Sequence, residues 1–135
     1  MAHKVIVATA VAANTPFVVT VPGQEKWRLI AVCATLSRAV GGTPTRSLKL
    51  TVTNGTDLLA ASPADDAGTE PGTLTATWAN AQPASSSSGG TGTTLGSIAN
   101  LPLLPGYVIT GTVISGAATD QWTRAVVWVD YVLSG

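Results

Sequence analysis

Hydrophobic and polar residues alternate along much of this chain with a period of two, and no window holds a helical period of 3.6. Phe17, Val19 and Val21 alternate with Val18 and Thr20. Leu48, Leu50 and Val52 alternate with Ser47, Lys49, Thr51 and Thr53, and Leu74, Ala76 and Trp78 with Thr73, Thr75 and Thr77. Successive side chains of a strand point to opposite faces, so an aliphatic face backed by threonines reads as a half-buried antiparallel strand. Two longer runs, Trp27 to Leu36 and Trp122 to Leu133, are apolar on both faces. Each reads as a central strand with one face in the core and the other covered by something.

The breaks between these runs agree with that reading. Asn54-Gly55 between Thr53 and Thr56 predicts a type I′ hairpin, whose two central residues need positive φ. Pro22-Gly23, Gly41-Gly42, Pro71-Gly72 and Pro105-Gly106 each close one run and open the next. Strands are predicted near residues 3–12, 16–21, 26–37, 46–53, 56–61, 72–79, 97–101, 107–114 and 121–133. About eight or nine short strands at this spacing predict an all-β sandwich or barrel. The Cys-Trp-Cys framework of antibody domains is absent, which favours an antiparallel, jelly-roll-like β-sandwich. With 135 residues the chain reads as a single domain, 1–135. A chain of that size can bury enough surface to fold without a metal or disulfide.

Two segments need separate treatment. Lys4 followed by Val5 to Ala13 superficially resembles a signal peptide. The run lacks Leu and is rich in Val, Ile and Thr, which favours a strand. It is too short to cross a bilayer, so residues 1–13 are expected to be an N-terminal arm or an edge strand. Asn80 to Gly96 contains Ser85-Ser86-Ser87-Ser88-Gly89-Gly90, the composition of a flexible loop. Order in residues 80–96 would come from packing against another chain or across its own domain.

Charge changes the picture more than composition does. Only 10% of the residues are charged against 45% hydrophobic, and seven basic residues balance seven acidic ones. A neutral chain lacks the electrostatic footprint of nucleic-acid or anionic-membrane binding, so neither partner is expected. Near-zero net charge instead promotes association. No charged residue occurs between Lys4 and Glu25 or between Glu70 and Asp120. Uncharged surface desolvates cheaply against a partner, although core strands and Ser/Thr loops also account for such gaps.

Candidate chemistry is sparse. His3 is the single histidine and Cys33 the single cysteine, so the chain offers no zinc set and no internal disulfide. No nucleophile elbow, Walker loop or dinucleotide fingerprint occurs. A catalytic triad would have to use His3 at the terminus, and no catalytic, cofactor or metal residue is assigned. Cys33 lies in Ala31-Val32-Cys33-Ala34 and is expected to be a buried, inert thiol. Asp65, Asp66 and Glu70 form the one acidic cluster; a calcium loop is conceivable, but the spacing fits a solvated turn better. Asn54-Gly55-Thr56 matches a glycosylation sequon that the hairpin explains without a glycan. Trp27, Trp78, Trp122 and Trp128 raise sugar stacking as a function, while their positions within alternating strands favour core or interface packing.

The last third of the chain carries a resemblance. Leu103-Leu104-Pro105-Gly106-Tyr107-Val108-Ile109, then Gly116 to Thr119, then Asp120-Gln121-Trp122 and a long closing strand resemble a family of small β-sandwich virion proteins of tailed bacteriophages. Upstream, Trp27-Arg28-Leu29-Ile30 and Leu48 to Gly55 fit the same pattern of a strand and then a hairpin. The motifs are turn and strand signals, and residues 80–96 depart from the pattern. The resemblance implies a non-enzymatic capsid decoration (cement) protein without cofactors, made in the bacterial host cytoplasm and carried on the capsid exterior. Its implied partners are the major capsid protein and itself, as a homotrimer near local threefold axes. Bridging neighbouring capsid subunits adds interface area that must be lost before they part. Another virion role, at the neck, tail or receptor-binding fibre, and a carbohydrate-binding module are the alternatives. Hundreds of copies per particle would mean decoration, and a handful would mean neck or tail.

Overall fold

Alternation at period two builds strands here and nothing else: the described residues contain no helix. The computed structural model describes residues 2–39, 46–62, 65–68, 71–80, 85–87, 91–114 and 119–133. In chain order the strands are β1 (Ala2–Ala8), β2 (Phe17–Thr20), β3 (Glu25–Arg38), β4 (Arg46–Thr53), β5 (Leu58–Ala61) and β6 (Asp65–Gly68). They continue with β7 (Gly72–Ala79), β8 (Ser85–Ser87), β9 (Thr91–Ser97), β10 (Pro102–Leu103), β11 (Val108–Ile114) and β12 (Gln121–Leu133).

Two sheets pack face to face as a sandwich. The larger runs β1-β12-β3-β7-β9-β8, with β10 also paired to β3; the smaller runs β2-β11-β4-β5, with β6 also paired to β4. Every pairing is antiparallel except β7 with β9. The core lies between the sheets. Val32, Leu36, Leu74, Trp78 and Val127 from the larger sheet meet Phe17, Leu48, Leu50, Val52 and Ile109 from the smaller. Phe17, Leu48, Leu50, Val52, Leu74 and Trp78 are members of the alternations that predicted the strands, while Val32, Leu36 and Val127 come from the two runs that read as apolar on both faces.

The strand boundaries depart from expectation in instructive places. Twelve strand segments are described, because β6, β8, β9 and β10 add short pieces to the predicted set. The strand expected at 97–101 instead ends at Ser97, where β9 closes, and Ile98 joins the core from outside any strand. Asn54 does not take positive φ, so the Asn-Gly corner is not type I′; only Gly55 does, at 98°. The Asn54 side chain replaces the missing corner geometry, its Oδ1 accepting from the N–H groups of Thr56 (2.9 Å) and Asp57 (2.7 Å). That lengthens the loop and delays β5 to Leu58. Pro105-Gly106 forms a turn in which Tyr107 N–H donates to Leu104 C=O at 3.1 Å, with Gly106 at φ 86°.

The serine-rich segment contributes to its own sheet. Ser85–Ser87 pairs antiparallel with β9, which pairs with β7, so this stretch forms one edge of the larger sheet. At the other edge Ala2–Ala8 pairs with β12 over seven residues. Asp65 and Asp66 also lie in a strand, opposite Leu48 and Ser47, rather than in a solvated turn; Glu70 lies outside the described residues. Among the described residues no group of three His, Cys, Asp or Glu side chains could hold a metal ion.

Candidate binding surface

The two outer faces of the sandwich differ. On the smaller sheet the outward positions of β4 and β11 are mostly polar and half-buried (Ser47, Lys49, Thr51, Thr53, Thr110 and Thr112), with apolar Val108 and Ile114 among them and Val18 of β2 opposite Thr110; Val18 is 52% exposed and Ile114 41%. On the larger sheet, strands β1, β12 and β3 place their outward side chains in three register rows. These rows are His3–Asp130–Arg28, Val5–Trp128–Ala31 and Val7–Val126–Cys33. Val5 is 52% exposed, Val7 49% and Trp128 39%. Ile30, 41% exposed, adds to the same face. Arg124 beside Thr35 borders the patch on one side, and His3, Asp130 and Arg28 border it on the other. An apolar centre with a charged rim is the anatomy of a protein interface.

Two β-bulges create this arrangement. β3 carries an extra residue near Ile30, where its register against β12 slips between Trp128 and Val129. β12 carries one at Thr123, between Trp122 and Arg124. Each extra residue resets the phase of alternation, so Trp27 and Leu29 face the core before the slip and Val32, Ala34 and Leu36 after it. Ile30 and Ala31 are therefore left together on the outside.

The edge strand is held in place by a polar clamp. Lys4 Nζ donates to Glu25 Oε1 (2.6 Å) and Oε2 (2.8 Å), and Trp27 Nε1 donates to Glu25 Oε1 at 3.0 Å. The ammonium also lies 5.2 Å from the Tyr131 ring centroid and 5.7 Å from that of Trp27. Lys4 is thus turned back across β12 onto β3, and its hydrogen bond, with that of Trp27, holds the Glu25 carboxyl below its ordinary pKa.

The residues singled out from sequence scatter. His3 has a largely exposed side chain whose Nδ1 lies against Asp130 Oδ1 without hydrogen-bond alignment. Cys33 is not fully buried; its strand parity turns it outward, beside Thr77, whose hydroxyl lies 3.6 Å from the sulfur. Trp27, Trp78 and Trp122 are buried, which leaves Trp128 as the one tryptophan with an open face. Its row neighbours, Val5 and Ala31, offer a sugar no side-chain hydrogen bond. A shallow depression of about 130 Å³ lies nearby, lined by Lys26, Trp27, Arg28, Pro102, Asp130, Tyr131 and Val132. A second, of about 40 Å³, lies at the start of β12 among Asn14, Thr15, Pro16, Thr112, Val113, Asp120 and Trp122.

Sequence reasoning missed one polar cluster. Arg38, Arg46 and Asp120 are all buried at the end of the sandwich where β3 stops and β4 and β12 begin. The signal was present: Arg38 is in phase with Val32, Ala34 and Leu36, and Arg46 with Leu48, Leu50 and Val52. No protein-family model, curated protein or solved structure matches the chain.

Proposed function

We propose that this chain is a non-enzymatic virion protein that decorates the outside of a bacteriophage head, seating the apolar outer face of its larger sheet on the major capsid protein. The observation that carries the reading is the Val5–Trp128–Ala31 and Val7–Val126–Cys33 patch, an apolar surface with a charged rim on a chain of zero net charge. Such a face loses little on desolvation and gains from burial at roughly 25 cal/mol per Å². The resemblance to tailed-phage β-sandwich proteins names the capsid as the surface it meets.

We also read the sandwich as a jelly roll. Its support is the nesting of strand pairs: β1 with β12, β2 with β11, β3 with β7 and β4 with β5. A long antiparallel ribbon wrapped into two sheets pairs its strands in that order. Jelly rolls serve in viral capsids and in lectins, so fold alone does not choose between decoration and sugar binding. The burial of three tryptophans favours decoration.

Co-sedimentation with heads of the phage that encodes the chain, stripped of their outer proteins, tests the role. The parent protein should saturate at hundreds of copies per head. Trp128→Asp should remain folded and lose binding. Saturation at a handful of copies would move the role to neck or tail. Binding on a glycan array, with none to heads, would replace the reading by carbohydrate recognition.

A further inference from the structure

We infer that two copies of this chain join edge to edge through β1, antiparallel, about a twofold axis at Val5. The inference rests on the assembly role above and names the copy-to-copy contact within it.

The edge itself is the first ground. Among the described residues β1 pairs with β12 on one side and with no strand on the other. Natural sheets protect such edges with charge, proline, bulges or short strands. The opposite edge of this sheet, Ser85–Ser87, is three residues long. β1 has seven residues, no proline and an unbroken register against β12. Its single lysine is drawn inward by Glu25, so it does not guard the edge.

Self-complementarity is the second ground, and it selects the register. Residues directly opposite in an antiparallel pair share a face, so a twofold axis normal to the sheet must pass through a residue position. An axis at Lys4 sets two lysines opposite each other and overlaps only residues 2–6. One at Ile6 overlaps only residues 4–8. An axis at Val5 overlaps the whole strand, with Ala2 opposite Ala8, His3 opposite Val7, Lys4 opposite Ile6 and Val5 opposite itself. No like charges meet. The apolar rows of the two copies then run together as Trp128–Val5–Val5–Trp128, one continuous patch twice as wide. Such a contact is isologous and closes at two copies, unlike the threefold assembly that the family resemblance implies.

Sedimentation equilibrium on the full-length protein tests this, with Val5→Lys and Val5→Glu as variants. Val5 is half exposed on the outer face, so either charge is compatible with the monomer fold, which circular dichroism verifies. The parent should be a dimer and each variant should lose the dimer. An equimolar mixture of the two variants should regain it, because Lys then faces Glu across the axis. Residue-resolved hydrogen exchange supplies a readout independent of mass. The β1 amides that point away from β12 should be protected in the parent and exposed in either variant alone. A parent that is monomeric or trimeric, or a dimer that survives both substitutions, overturns the pairing. A monomer that still coats heads overturns the pairing alone, and a dimer that fails to bind them removes only the decoration role.

Discussion

Arg46 and Asp120, 74 positions apart in the chain, meet as a buried ion pair with Nε 2.6 Å from Oδ2. Asp120 Oδ1 also accepts from Ala39 N–H at 2.7 Å, and Arg46 Nη2 donates to Ala39 C=O at 2.7 Å. The pair therefore ties the end of β3 and the start of β12, in one sheet, to the start of β4 in the other. Both groups have left water, so deleting one partner takes from the other, still buried, the counter-charge it bonds at 2.6 Å. Asp120→Ala and Arg46→Ala should each cost about 3–5 kcal/mol in denaturant unfolding. The double change Arg46→Met with Asp120→Leu should cost far less than the sum of the two single changes. Additive costs would show that the two side chains do not act as a unit.

Gly111 is a packing requirement of the smaller sheet. It sits opposite Phe17 on β2 and Leu50 on β4 in the central strand β11. The Phe17 ring lies over it so closely that an added Cβ would overlap the ring edge and stand 2.6 Å from Cδ2. Gly111→Ala should destabilise by about 1–3 kcal/mol through overpacking. Combining it with Phe17→Leu should cost less than the two single losses added together. A Gly111→Ala protein as stable as the parent would mean the ring can swing aside.

Trp122 lies under that ring, with Phe17 edge-on at 5.0 Å between centroids and Trp78 tilted against it at 6.5 Å. The sequence placed Trp122 in core or interface packing, and the structure puts it in the core at the start of the closing strand, with 2% of its surface exposed. Trp122→Ala should cost on the order of 3–5 kcal/mol. Its indole N–H has no hydrogen-bond partner among the described residues. Trp122→Phe removes that unsatisfied donor along with part of the ring, and should be the milder change. Equal losses for the two variants in urea titrations would refute that account.

The core was legible because its alternation is local. Phe17-Val19-Val21, Leu48-Leu50-Val52 and Leu74-Ala76-Trp78 each declare an inward face that the sandwich buries. The outer face was legible only as the expectation that Trp27 to Leu36 and Trp122 to Leu133 need cover on both sides. Which residues turn outward depends on the bulges near Ile30 and at Thr123, and a bulge is defined by the partner strand's register. Cys33 was misplaced because its apolar neighbours, Ala31, Val32 and Ala34, read as core, whereas the slip near Ile30 sets Val32 and Ala34 inward and turns Cys33 out. The Arg46–Asp120 pair was illegible as a pair because nothing local joins positions 74 apart. The turn at Asn54 failed as a type I′ prediction because its side chain competes for the backbone donors.

Acid should loosen the clamp on β1. The Glu25 carboxyl sits below its ordinary pKa, first through its hydrogen bond with Lys4 and then through that with Trp27. A depressed folded-state pKa contributes stability that is fully present above the unfolded value and is lost as pH falls through the lowered one. The effect therefore belongs to the acid limb, below the usual carboxylate range. Carboxyl-resolved NMR should place the Glu25 midpoint lower in the parent than in Lys4→Met. Identical midpoints would mean that the Lys4 contact does not hold in solution.

Cys33 gives a direct reading of the outer face. Its thiol stands in the Val7–Val126–Cys33 row, partly exposed, with the Thr77 hydroxyl as a neighbour. A thiol in that position should react with a small maleimide without unfolding, whereas a core thiol would wait for global opening. In the free protein the labelling rate should therefore be nearly independent of sub-denaturing urea. If the decorated capsid covers this face, the same reagent should label bound protein far more slowly than free protein. Edge-to-edge pairing through β1 leaves Cys33 two strands from the axis, so the dimer alone should not protect it. Labelling that tracks global unfolding would return Cys33 to the core. Equal rates for free and capsid-bound protein would show that the particle meets some other surface of the sandwich.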